Sequence, residues 1–356
     1  RAAGRRPGGA GVKRWPRLLV FVGAGGVGKT TLAAAAGWLS ARNGARTLVM
    51  TFDPSHRLRQ TLGVGAEAAL SETAVAGAPG GRLRASLLDA RTTFDRLVER
   101  YAPDAAARDR ILGNRFYRTF SGSLAGVLEY MAVERLFEVR AAGRYDRIVL
   151  DTPPTREALD FLGAPRRIVE FLDSGIVRLA FRSWFDDSGR PRLTRRLGPL
   201  GRRVEAGLDE IVGVDLLRDM VEFFRAFGPL YEGFRARAAE VERLLREPET
   251  GFLLVAGPGA ERIPETLYFA RRLREHGCHL AGVLVNRLHP PLESPGPWPP
   301  LLAFLSRRDG EGLRLLAERL GEIPLGGLPL LGDEPAHLAG IERVAGELET
   351  ALAGLG

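Results

Sequence analysis

Cysteine is almost missing from this chain: Cys278 is the single one in 356 residues. That excludes an intrachain disulfide framework and any Cys-x-x-Cys metal clip. Cys278 falls between a helix read to end near His276 and a strand read to begin near Leu280. A small buried filler is the favoured reading there, ahead of a reactive thiol. Lysine is nearly as scarce. Lys13 and Lys29 are the only two among 51 basic residues, so arginine supplies the rest of the positive charge. Methionine is confined to Met50, Met131 and Met220, which is too little for an adaptable methionine-lined groove. No apolar run reaches the roughly 18 residues that suggest a membrane span. Arg1 to Arg17 is basic and rich in Gly and Pro, without the apolar core of a secretion signal. It predicts a flexible basic tail over 1–16. Scarce cysteine and the missing export signal lead us to expect a cytoplasmic protein.

Charge of one sign is in modest excess, at a formal +8. Such an excess can serve nucleic acid or an anionic membrane surface. Here the arginines are interleaved with acids, as in Glu240-Val241-Glu242-Arg243-Leu244-Leu245-Arg246-Glu247. That pattern reads as a solvated helix face, so nucleic acid is not an expected partner. The chain is 45% hydrophobic and 26% charged, enough for a sizeable core in one large domain or two.

What is present starts with Gly23-Ala24-Gly25-Gly26-Val27-Gly28-Lys29-Thr30-Thr31. Gly23 through Thr30 fits the G-x-x-x-x-G-K-[ST] phosphate loop. An apolar run, Leu18–Val22, precedes it and an alanine-rich helix follows, which is the strand–loop–helix setting the motif requires. The glycines let backbone N–H groups converge on one anion at a helix N-terminus. Lys29 adds a mobile charge for the β- and γ-phosphates. A lysine kept here in an arginine-rich chain suggests that a compact ammonium is needed. Thr30 offers a hydroxyl to Mg²⁺.

Two carboxylates extend the pattern. Asp53 follows the second strand, in Thr51-Phe52-Asp53-Pro54-Ser55-His56. It either holds or orients the attacking water or is a turn or N-cap aspartate before Pro54. Asp151 closes the apolar run Arg147–Leu150 and leads into Thr152-Pro153-Pro154-Thr155. It is the expected second carboxylate, reaching Mg²⁺ directly or through water. Thr155 and Arg156 would lie near the γ-phosphate.

Strand and helix signals alternate at both ends of the chain. Strands are expected at Leu18–Val22, Thr47–Thr51, Leu83–Leu88, Arg147–Leu150, Phe252–Ala256 and Ala281–Val285, with helices at 30–42 and about Pro264 to Glu275. The fold class is therefore α/β, a P-loop NTPase with a mostly parallel, doubly wound sheet and an inserted α-helical subdomain. The expected nucleotide-binding core is 17–91 plus 144–160 plus 249–356. The helical subdomain is 92–143 plus 161–248. Within it, apolar residues from Val212 to Phe234 recur at helical spacing, with Phe223 widening the arc. Bundle core is favoured over a groove for a partner helix. Asp186 to Arg203 reads as a mobile loop and Pro290 to Pro300 as a proline-dense connector.

At this point the chain resembles the arsenical-pump and tail-anchored-protein-targeting ATPases, the ArsA-type branch of the deviant-Walker group that also holds MinD and ParA. The matching segments are Gly23–Thr31, Thr51–His56 (near T-D-P-A-H), Asp151–Thr155 (near D-T-A-P-T), Val283–Asn286 and Gly327–Leu331. The resemblance implies ATP and Mg²⁺ as cofactors. It casts Lys29, Asp53 and Asp151 as catalytic. Gly23, Gly25, Gly26, Val27, Gly28, Lys29, Thr30 and Thr31 would hold the phosphates, and Thr30 and Asp151 the metal. Asn286 would hydrogen-bond the adenine, and Pro329 and Leu330 belong to the loop covering it. It further implies an ATP-closed dimer, with itself or a paralogue, coupled to a protein or membrane-associated client.

The chain also departs from the family. Ala24 stands where the deviant-Walker signature has a lysine that reaches the partner's phosphates. Arg156 replaces the usual Gly and is either a substitute phosphate sensor or a surface arginine at a helix start. The metalloid-binding cysteines and the zinc clip are missing, so neither arsenite nor zinc is expected. The leading expectation is an ATP-hydrolysing dimer switch. The alternatives are a low-turnover nucleotide-sensing subunit paired with a lysine-bearing paralogue and, less favoured, a ParA-like partitioning ATPase.

Overall fold

The computed structural model describes residues 15–51, 57–69, 71–120, 127–152, 162–167, 169–170, 219, 222–223, 226, 231–292, 299–333 and 337–353. Eight strands form one sheet in the order β3-β4-β2-β5-β1-β6-β7-β8. They are β1 (Leu18–Gly23), β2 (Thr47–Thr51), β3 (Thr73–Ala74), β4 (Leu83–Leu87), β5 (Arg147–Asp151), β6 (Thr250–Ala256), β7 (Leu280–Leu288) and β8 (Leu325–Pro329). Every pairing is parallel except β3 with β4. The described α-helices are α1 (Lys29–Arg42), α2 (Arg57–Leu62), α3 (Ala90–Tyr101), α4 (Ala105–Gly113), α5 (Arg115–Phe120), α6 (Val127–Ala141), α7 (Tyr231–Arg246), α8 (Ile263–Glu275), α9 (Pro300–Leu320) and α10 (Leu338–Ala353).

The central strands read as continuous apolar runs because both faces are covered. All of β1, β2, β5 and β6 is buried. Helix α1 is alanine-rich for a related reason. Its residues from Leu32 to Ala41 are buried, and small side chains let its backbone lie close to its neighbours. Leu19, Phe21, Leu39, Val49, Val149, Val255 and Ile341 share this core. Burying each large side chain contributes roughly 1.5–3 kcal/mol.

Two strands were not expected. β8 is Leu-Gly-Gly-Leu-Pro, which reads as a turn. It holds an edge position, where proline is tolerated. A side chain at Gly327 would lie 2.6 Å from Leu288 Cδ1. β3 is a two-residue edge strand, too short for any periodic signal. Other limits shift slightly: β4 stops at Leu87 rather than Leu88, α1 starts at Lys29, and β7 runs on to Leu288.

The chain divides into two compact units. One comprises the residues up to Asp89, Phe137–Leu162 and Arg243 onward; the other comprises Ala90–Leu136 and Gly163–Glu242. The first holds the sheet. In the second, Phe94, Val98, Ile111, Tyr117, Tyr130, Met131 and Phe223 form a core of their own. Phe223 stacks on Tyr117 with ring centroids 6.0 Å apart. Apart from Phe223, the side chains of the helically spaced series from Val212 to Phe234 lie outside the described residues, as do Asp186 to Arg203 and most of the Pro290 to Pro300 connector.

Candidate nucleotide site

The phosphate loop leaves β1 at the carboxyl edge of the sheet, where ligands of doubly wound folds bind. Gly23 has φ 146°, and a Cβ there would come 2.1 Å from the Val255 carbonyl oxygen on β6. No side chain fits. Gly28 caps α1 in a left-handed conformation, φ 94° and ψ 21°, with no side-chain cap. The first turn of α1 holds no acidic residue. Its N-terminal N–H groups therefore favour an anion.

Lys29 is 6% exposed. Its ammonium donates to the carbonyls of Gly23 at 3.0 Å and Ala24 at 2.7 Å. It thus lies across the loop that would surround a phosphate. Thr30, the next residue, turns toward β5 and donates from Oγ1 to Asp151 Oδ2 at 2.8 Å. Asp151 is fully buried and also accepts from Thr51 Oγ1 at 3.1 Å. Pairing of β5 with β1 and β2 sets Asp151 beside Phe21 and Thr51. Thr152 secures the strand exit by donating to the Phe21 carbonyl at 2.7 Å. A threonine hydroxyl and a carboxylate are hard oxygen donors. Two such groups beside a phosphate loop fit Mg²⁺, which takes few protein ligands and keeps waters.

From Gly28 a cleft of about 410 Å³ opens along Thr31, Leu32, Asn286, Arg287, the segment 328–331, Val344 and Glu347. Its size suits a small organic ligand. Asn286 donates from Nδ2 to the Val27 carbonyl at 2.8 Å. It does so from a bulge. β7 and β8 pair Val285 with Gly327 and then Leu288 with Pro329, so Asn286 and Arg287 oppose Leu328 alone. Arg287 has φ 66°, the one positive φ among described non-glycine residues. The bulge re-aims Asn286 at the phosphate loop. Pro329 ends β8, and Leu330 donates its N–H to the Leu288 carbonyl at 2.7 Å.

The structure therefore brings together Gly23, Val27, Gly28, Lys29, Thr30, Thr31 and Asp151, with Asn286, Pro329 and Leu330 along the adjoining cleft. Gly25 and Gly26 lie within the loop, Gly26 at φ 75°. Asp53 and Arg156 lie outside the described residues.

Residues 16–181 match the family model of the anion-transporting ATPases, ArsA_ATPase. ATPase GET3B of Arabidopsis thaliana is 26% identical over 303 residues, covering 80% of this chain and 67% of that protein. The chain is similar to the ArsA-type ATPases. Protein Rv2184c of Mycobacterium tuberculosis is 31% identical over 218 residues, covering 57% of this chain and 49% of the relative. The arsenical pump-driving ATPase of Acidiphilium multivorum is 25% identical over 346 residues, covering 94% of the chain and 49% of the relative. The chain spans about half the length of these last two relatives.

Sequence reasoning missed several parts of the site. Thr51 opens the Thr51–His56 motif in the sequence, and only strand pairing joins it to Asp151. Arg287 and Glu347 line the cleft from a bulge and from α10. The polar pair Asn286-Arg287 breaks the apolar run of β7 and is the available signal for the bulge.

Proposed function

We propose that this chain binds and hydrolyses ATP with Mg²⁺, and that ATP closes a dimer coupled to a protein or membrane-associated client. The supporting observation is the contact of Thr30 with the buried Asp151, beside a lysine lying along the phosphate loop. In this reading Lys29 exchanges the Gly23 and Ala24 carbonyls for phosphate oxygens. The α1 N-terminus and the loop N–H groups orient the chain of phosphates. Thr30 and Asp151 hold magnesium, which when bound neutralises charge on the β- and γ-phosphates. Asp53 orients the attacking water, and Arg156 answers the γ-phosphate.

Base recognition follows from Asn286. The Val27 carbonyl accepts only, so it requires the amide NH₂ of Asn286 on its side. The amide oxygen then remains an acceptor for the cleft. It complements the exocyclic amine of adenine and opposes the carbonyl of guanine.

Ala24 favours a second reading. Its side chain brings no charge to a partner's phosphates, so the chain could be a nucleotide-sensing subunit that turns over slowly beside a lysine-bearing paralogue. Mg²⁺-dependent ATP hydrolysis by the purified chain, over a wide protein concentration range, separates the two. Specific activity that rises with concentration and vanishes in Lys29→Ala is expected for a self-sufficient dimeric ATPase. Tight ATP binding without turnover would contradict it and select the sensor.

A further inference from the structure

We infer that Asp309 is a positioning residue for base recognition: it secures the exit of β7 and, through it, holds Asn286 against the phosphate loop. The inference rests on the reading of Asn286 as the base contact. Asp309 lies within α9 and is 1% exposed. Its Oδ2 accepts from the His289 backbone N–H at 3.0 Å and from His289 Nδ1 at 2.7 Å. Its Oδ1 accepts from Arg308 Nε at 3.0 Å and Nη2 at 2.8 Å. An ionised carboxylate accepts only, so His289 carries its hydrogen on Nδ1. Burial pushes the Asp309 carboxyl upward, but the His289 and Arg308 hydrogen bonds outweigh it and hold the group below its ordinary range.

A buried ionic cluster is weak evidence for stability in itself. Its place in the chain gives it a task. His289 directly follows β7 and lies two residues beyond Arg287, which holds a left-handed conformation inside the bulge. Such a residue persists only where the surroundings over-determine it. Here the ladder holds Val285 on one side. On the other, Leu288 is bound to Leu330, and His289 is bound to Asp309. The two arms enclose Asn286, whose Nδ2 reaches Val27. Releasing the Asp309 arm frees the bulge to relax and turns Asn286 away from the base. The phosphate loop keeps its own geometry, which β1 and α1 set.

The test compares two probes on the full chain: ATP and inorganic tripolyphosphate, which has no base. Equilibrium dissociation constants are measured for wild type, Asp309→Asn, His289→Ala, His289→Asn and Asn286→Ala, with thermal denaturation as a folding check. Asp309→Asn and His289→Ala are expected to weaken ATP about tenfold. Tripolyphosphate affinity should stay within about twofold. His289→Asn keeps a donor at the Nδ1 position and should retain most of the ATP affinity. Equal losses for both probes would reduce Asp309 to a structural role and overturn the inference, as would no loss at all. If Asn286→Ala weakens ATP selectively while the Asp309 and His289 variants do not, the inference fails and the base reading stands. If Asn286→Ala leaves the ratio of the two affinities unchanged, both fail. Should Asp309→Asn not fold, the partly exposed His289 carries the same test.

Discussion

At the phosphate end of the cleft, the residues run consecutively from Gly23 to Thr31, and Asp151 joins them from the neighbouring strand. At the proposed base end, the lining comes from Gly28, Thr31, Leu32, Asn286, Arg287, the segment 328–331, Asp333, Val344 and Glu347. The first end rests on local backbone chemistry: a loop with glycines at two constrained positions and a helix start. The second rests on tertiary assembly: a bulge, an edge strand and an ionic cluster. Phosphate binding should therefore depend on a few irreplaceable atoms, whereas base selectivity should be spread over distant supports and give way gradually.

The largest effects should fall at the phosphate end. Lys29→Ala should cut ATP turnover by about a hundredfold or more while the fold remains, measured as steady-state phosphate release beside circular dichroism. Gly23→Ala sets a methyl against a backbone carbonyl that cannot move aside. It should cost about 3 kcal/mol or more of stability, read from urea unfolding. A loss below about 0.5 kcal/mol would mean that β1 and β6 are less rigidly spaced than described.

Effects at the base end should be smaller and selective. Asn286→Ala should weaken ATP about tenfold and narrow the preference for ATP over GTP, measured by competition binding. An unchanged preference would remove Asn286 from base recognition and make the two ends alike.

The smallest effect lies away from the cleft. Arg46 donates to Asp146 from its side chain and backbone and lowers that carboxyl to about 2. A depressed carboxylate stabilises the folded state above its unfolded value, and that contribution is lost as pH falls from about 4 through about 2. The pair is half-exposed, so Asp146→Asn should shift Tm at pH 7 by no more than about 2 °C. The wild-type and variant curves should converge below pH 2. Curves that stay apart there would mean that the residue acts through packing.

The same contrast explains what the sequence revealed. β1, β2 and β5 were legible because burial on both faces demands unbroken apolar runs. The phosphate loop was legible because its chemistry is contiguous. Asn286 was reached through the resemblance and not through periodicity, since the bulge that aims it interrupts the strand pattern. β8 was missed because its two glycines pack closely against β7 and α10 and imitate a turn. Asp309 and His289 are twenty residues apart, joined across a proline-dense connector, and neither carries a local signal. The contact of Thr51 with Asp151 comes from strand pairing, which no sequence spacing encodes.

The most direct test is equilibrium binding of ATP to the purified chain and to Lys29→Ala, with and without Mg²⁺. The account predicts binding to the wild type that tightens with Mg²⁺ and weakens by about tenfold or more in the variant. Equal affinity of the two proteins for ATP would contradict a phosphate site centred on Lys29, whatever the rate of hydrolysis.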